Sequence, residues 1–185
     1  DVASVKAEIL KRVETELGEL PTNYVPCHPL AGSEKAGPST SHPALFENRP
    51  VVIIPHQKQR PGSRELVTEF WSELNSICVE LTAEQHDSIL AKTSHLPHVL
   101  AYAFMSMLSR DDLSYSGSGL DDFTRIAGAN PDLWWAIFSM NETELTKALD
   151  DFQIAFSNLR DAVLKKDQQA ALKIMNAAYI LRKSL

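Results

Sequence analysis

Ile77-Cys-Val-Glu-Leu-Thr-Ala-Glu-Gln85 is where the chain changes character. Ile77 to Leu81 reads as a short apolar strand. Thr82 to Gln85 spells a capping box, in which a threonine hydroxyl and a glutamine side chain three residues on satisfy each other's backbone donors and open a helix. Upstream of Thr82, strand and helix signals alternate. Downstream, helical periodicity runs almost to the end. The spacing predicts two parts, an α/β unit over residues 1–82 and an all-α unit over residues 83–185.

Within the first part, Val51-Val-Ile-Ile54 is apolar at every position, as in a strand buried on both faces of a parallel sheet. Tyr24 to His28 is a second short strand. Leu66, Phe70 and Leu74 mark a helix between strands. Ser4 can N-cap a helix carrying Val5, Ile9, Val13 and Leu17, which Gly18 ends. The pattern is β/α with a parallel sheet, but with too few strands for a complete one. In the second part, Leu96, Leu100, Phe104 and Leu108 line one helix face, kinked at Pro97. Asn130-Pro131 is an N-cap followed by a first-turn proline. Leu145, Leu149, Phe152, Phe156, Leu159 and Val163 step by four and three, a seam of almost three heptads. That seam serves either helix packing within the chain or a dimer interface.

Composition narrows the partners. The 185 residues are 44% hydrophobic with a net charge of −6, a balance suited to a packed globular protein. Without a basic stripe interleaved with aromatics, no nucleic-acid partner is expected. No apolar run approaches the roughly 18 residues of a membrane span, so no membrane partner is expected either. Cys27 and Cys78 make no disulfide framework and fit a reducing, cytoplasmic setting as buried small hydrophobes. Asp1-Val2-Ala3-Ser4 is neither an initiator methionine nor a signal peptide, so the chain is expected to belong to a longer protein.

Three stretches carry chemistry: His28-Pro-Leu-Ala-Gly-Ser-Glu34, Ser94-His-Leu-Pro-His98 and Asp121-Asp-Phe-Thr-Arg-Ile-Ala127. His28 ends a strand, where open α/β sheets place their binding crevice. Either it is structural, or Glu34 across the turn orients it as a general base. Cys27 beside it points to the other face of the strand and is discounted as a partner. Ser4 is an N-cap, a hydroxyl at the mouth of the same crevice, or both. His95 and His98 share a helix face and suit contact with a carbonyl or carboxylate; no further ligands accompany them, so no metal is expected. Arg125 either grips a substrate carboxylate with Asp122 holding its fork, or forms an internal pair with Asp122. Trp134 and Trp135 read as core with one walling a pocket, and His42, His56 and His86 as solvent-exposed.

Taken together, Asp1-Val-Ala-Ser-Val-Lys6, His28 to Glu34, Leu45-Phe46 with the strand to Pro55, Ser94 to Ala101 and Asp122 to Trp134 resemble the prephenate dehydrogenases, with their cyclohexadienyl and arogenate variants. The resemblance covers essentially the whole chain. It implies the remnant of a Rossmann-type nucleotide-binding domain followed by an α-helical dimerisation domain. It implies that His28 hydrogen-bonds the ring hydroxyl of prephenate with Ser4 as its partner, and that Arg125, supported by Asp122, binds a carboxylate. His95 and His98 would face substrate, in a region that senses tyrosine in the family. Glu34 would gate or orient, Ser33 and Gly119 would complete the substrate-binding set, and Trp134 would approach the neighbouring subunit's site. The reaction implied is oxidative decarboxylation of prephenate or arogenate, with NAD or NADP as cofactor, in a homodimer. The departure is that none of the seven glycines forms G-x-G-x-x-G, so the pyrophosphate turn is not in this sequence. The competing reading is a non-catalytic dimer that senses aromatic amino acids. A second enzyme reading is a dehydrogenase of simpler hydroxy acids.

Overall fold

The computed structural model describes residues 1–32 and 42–185. Ser33 and Glu34 lie outside the described residues. Contacts divide the chain into two compact units, residues 1–145 and residues 146–185.

The first unit is built on a three-stranded sheet ordered β1 (Cys27–Pro29), β2 (Pro50–Ile53), β3 (Ile77–Glu80). β2 is the central strand because its residues are apolar on both sides. Val51 and Ile53 enter one cluster with Val25, Cys27 and Trp71, while Val52 and Ile54 enter another with Ala83. Helix α2 (Ser63–Glu73) connects β2 to β3 and lets them run parallel. β1 pairs antiparallel to β2, with His28 opposite Val52. The expected all-parallel sheet is therefore mixed, since antiparallel neighbours need no helical crossover between them. Along β1 successive side chains face opposite ways. Cys27 goes under α2, and His28 faces the side of helices α1 (Ala7–Leu17) and α3 (Ala83–Leu90).

α2 forms where expected but buries a different stripe. Leu66 and Phe70 are exposed, while Trp71 is buried with Val67 and Leu74 packed around it. The indole fills the space beneath β2 and meets Phe46 edge-on at 5.2 Å. α1 begins after Lys6, not at Ser4, and ends at Gly18, whose φ of 79° is the left-handed conformation that favours glycine. Ser4 makes no cap there. The carboxylate of Asp87 in α3 accepts the backbone N–H groups of Lys6 at 2.9 Å and Ala7 at 2.8 Å instead.

α3 opens with the capping box read in the sequence: Gln85 N–H bonds Thr82 Oγ1 at 3.2 Å and Thr82 N–H bonds Gln85 Oε1 at 3.0 Å. A π turn, Ala91–His95, then runs into α4 (Leu96–Ser106), with Pro97 in the first turn of α4. The widened turn is how the backbone accommodates a proline that can donate no hydrogen bond. α5 (Arg110–Leu113), α6 (Ser118–Thr124) and a 3₁₀ turn, Arg125–Gly128, follow. Tyr102 donates to the carbonyl of Ala129, and Phe104 meets Phe123 edge-on, holding α6 and the turn to α4. Asn130 caps α7 (Pro131–Met140) through bonds to the N–H groups of Asp132 and Leu133. α8 (Glu142–Leu164) begins in this unit.

The second unit holds the rest of α8 and α9 (Gln168–Lys183), joined by a turn in which Asp167 caps α9. Ala148 and Ala162 are buried, but Ile154, Phe156, Val163, Leu172, Met175, Tyr179 and Ile180 are exposed. Along the heptad seam cover falls off, from buried Leu145 to Phe156 and Val163, both more than half exposed.

Candidate functional site

Hydrogen bonds from His28, His86 and His95 lead to Asp87. It is almost wholly buried, at 2% exposure, and both carboxylate oxygens and the carbonyl oxygen accept hydrogen bonds. Its carboxylate caps α1 and also meets Nδ1 of His86 at 2.7 Å. His86, read from sequence as exposed, is completely buried. Its Nε2 lies 2.8 Å from Nδ1 of His28, and the two rings tilt across 5.0 Å. The carbonyl of Asp87 accepts from Nδ2 of Asn141, which also lies 3.1 Å from Nδ1 of His95. A single α3 residue thus ties β1, the start of α1, the π turn and the head of α8 into one hydrogen-bonded assembly.

Burial is the main cause of the titration behaviour. It pushes His28 down to about 3, with His86, Lys6 and His95 adding their repulsion and Asp87 opposing it. His95 is lowered to about 4, again by burial first, with Asp87 pulling the other way and His86 and His98 adding to the fall. Burial would raise the Asp87 carboxyl, but the bond from His86 and those from the N–H groups of Ala7 and Lys6 outweigh it and leave the group below its ordinary value. Lys6 is buried and lowered to about 8, chiefly by burial, with its ammonium paired to the Asp1 carboxylate. At neutral pH His28 and His95 are therefore uncharged, and Asp87 is a carboxylate.

On the other flank, His98 stacks on Trp134 with centroids 3.3 Å apart, and its Nδ1 lies 2.9 Å from the Ser94 carbonyl. His95 meets the same indole edge-on at 6.2 Å. Trp134 therefore contacts both histidines of the pair, while Trp135 is 72% exposed and is not core. Burial lowers His98, the Ser94 carbonyl raises it, and Arg125 lowers it, which places the guanidinium within electrostatic reach of the ring. Arg125 starts the 3₁₀ turn and is exposed, as are Asp122 and Gly119 on α6. Ser4 is half-buried, two residues before the Lys6 N–H that Asp87 holds.

Sequence reading missed His86, Asp87 and Asn141. His86-Asp87 directly follows the capping box, so an acidic pair with histidine in the first turns of α3 was the available signal. His56, also expected to be exposed, is half-buried with Nε2 2.8 Å from the Tyr24 carbonyl; His42 is exposed. Among the described residues, no group of three or more histidines, cysteines or carboxylates could hold a metal ion. A cleft of about 430 Å³ lies behind Asp87 and Asn141, but Glu8, Glu84, Glu142 and Glu144 line it against one lysine, Lys11. That rim repels an anion.

The family model for the prephenate dehydrogenase dimerization domain matches residues 82–177, and that for the prephenate dehydrogenase nucleotide-binding domain matches residues 1–80. Cyclohexadienyl dehydrogenase of Zymomonas mobilis is 34% identical over 175 residues, covering 90% of this chain and 59% of that protein. Prephenate dehydrogenase of Bacillus subtilis is 27% identical over 193 residues, covering 100% of this chain and 51% of that one. The crystal structure of prephenate dehydrogenase from A. aeolicus in complex with hydroxyphenyl propionate and NAD+ superposes with a TM-score of 0.88 at 29% identity, covering 98% of this chain and 64% of that one. The chain thus spans between half and two thirds of the length of these relatives.

Proposed function

The chain belongs to the prephenate dehydrogenase family, and on that premise we propose that the whole protein oxidatively decarboxylates prephenate, or arogenate, in tyrosine biosynthesis. The observation that carries this reading is a buried, uncharged His28 linked through His86, Asp87 and Asn141 to His95, the histidine that shares the Trp134 indole with His98. A base for a ring hydroxyl must be unprotonated at working pH, and His28 is. The hydroxyl O–H bond breaks, its proton goes to His28, and Ser4 is assigned to the same hydroxyl. Arg125, with Asp122 behind it, grips a carboxylate as an exposed fork that a diffusing anion can reach. His95 and His98, held against Trp134, contact the substrate's remaining polar atoms.

The nicotinamide cofactor, NAD or NADP, supplies the hydride acceptor when bound. The residues present fit only its reacting end, since an uncharged imidazole that takes a proton is the complement of hydride loss. The described residues offer no glycine turn for the pyrophosphate. Functionally we divide the chain at Thr82, with residues 1–82 on the nucleotide side and 83–185 on the substrate and dimer side.

The crystal complex of the A. aeolicus relative with hydroxyphenyl propionate and NAD+ supports this choice over a sensing module. The test is reduction of NAD and of NADP by the whole protein with prephenate and with arogenate. Turnover of neither overturns the reading. A homodimer is proposed through the second unit, whose exposed Phe156, Val163, Met175 and Tyr179 would otherwise stay wet. Obligate interfaces commonly bury upwards of about 2,000 Å². Light scattering at micromolar concentration should give twice the monomer mass, and monomer alone would refute the assignment.

A further inference from the structure

We propose that Asp87 gives the two buried histidines of the site opposite polarity, His28 as acceptor and His95 as donor, with His86 and Asn141 as the positioning residues that transmit it. The argument is one of hydrogen counting. A carboxylate only accepts, so the hydrogen in the 2.7 Å contact sits on Nδ1 of His86. With His86 neutral, its Nε2 carries a lone pair, so the 2.8 Å contact takes its hydrogen from Nδ1 of His28. His28 is left with a lone pair on Nε2. On the other branch the Asp87 carbonyl also only accepts, which orients the Asn141 amide with its nitrogen inward. The second amide hydrogen then points at Nδ1 of His95, 3.1 Å away, which must be the bare nitrogen. His95 is left with a hydrogen on Nε2. The hydrogen bond on one ring nitrogen sets the state of the other.

The consequence rests on the reading of His28 as the base. When the hydroxyl proton reaches Nε2 of His28, a positive charge arises there that Asp87 stabilises through His86. His95 keeps an N–H for a substrate oxygen and cannot compete for that proton. Because Asp87 also caps α1, the segment carrying Ser4 and the ring of His28 are held to one side chain.

The test uses the whole protein labelled with ¹⁵N-histidine at neutral pH. Nε2 of His28 should resonate as a bare, pyridine-type nitrogen and Nε2 of His95 as a protonated, pyrrole-type one. A protonated Nε2 on His28, the state in which His86 carries the charge, overturns the proposal, as does the same tautomer on both rings. His86→Leu should lower kcat for prephenate about tenfold to a hundredfold, within the range a general base contributes, with KM little changed. His86→Gln, which can still accept from His28, should restore most of the rate. If Leu and Gln variants are equally active, or equally inactive while His28 keeps its tautomer, the relay is refuted. Tautomers as stated in a protein that turns over neither substrate would instead refute the function and leave the relay standing.

Discussion

His28, His86 and Asp87 are withdrawn from water and bonded to one another and to the backbone, whereas Arg125, Asp122 and Gly119 stand exposed on α6 and the turn after it. The two flanks of the site are made for different tasks. Burial shifts proton affinity, so the closed flank fixes protonation states. Exposure suits a guanidinium to meeting a charged ligand, so on the proposed reading the open flank receives the substrate's carboxylate without changing any proton count. Trp134 joins them, edge-on to His95 and stacked on His98.

The largest expected effect breaks the closed flank. In the whole protein, His28→Asn should cut kcat by about 10² to 10⁴, the typical contribution of a positioned base. A rate within about tenfold of the parent would remove His28 from the chemistry. Arg125→Ala addresses the open flank and should act on KM instead. Losing a charge-assisted hydrogen bond costs roughly 1.5 to 3 kcal/mol, or about 10- to 150-fold in affinity. An unchanged KM with lowered folding stability would show the arginine to be an internal tie.

The contrast should also appear in stability against pH. His28 and His95 have folded values of about 3 and about 4 against an ordinary 6.5. The unfolded chain binds more protons below 6.5, so their contribution is intact above that value and is lost as pH falls toward 4 and 3. Each should cost about 1.4 kcal/mol per pH unit in that window. Urea midpoints at pH 7, 6 and 5 test this, and a flat series would contradict the burial of both rings. The smallest effect is expected at the junction. Trp134→Leu removes the His98 stack, worth roughly 0.5 to 1.5 kcal/mol, and should raise KM a few-fold with kcat held. A loss of kcat alone would move Trp134 to the closed flank.

Much of the framework was legible in the chain itself. The capping box at Thr82, the cap at Asn130, the helix stop at Gly18 and the strand Val51 to Ile54 depend on near neighbours and on an unbroken apolar run. The structure shows all four. So does the opposition of Cys27 and His28, which follows from the two-residue period of a strand. The motifs also led to His28 and His95, which the structure links to Asp87 only through His86 and Asn141, three residues that the sequence reading had left out.

What the sequence could not decide is what lies across from each residue. Ser4 is a good N-cap by type, yet Asp87, more than eighty residues away in sequence, takes the α1 donors because α3 packs against that helix end. His86 looks like a surface histidine on a polar first turn, and only the approach of β1 buries it against His28. Leu66 and Phe70 form as good a stripe as Val67 and Trp71, but the sheet covers only the second. Local patterns determined where helices and strands begin and end, because hydrogen bonds and side-chain periods within them are short-ranged. Tertiary packing determined which histidines are dry and which carboxylate they lie near, because desolvation and buried hydrogen bonds depend on neighbours the chain brings together only when folded.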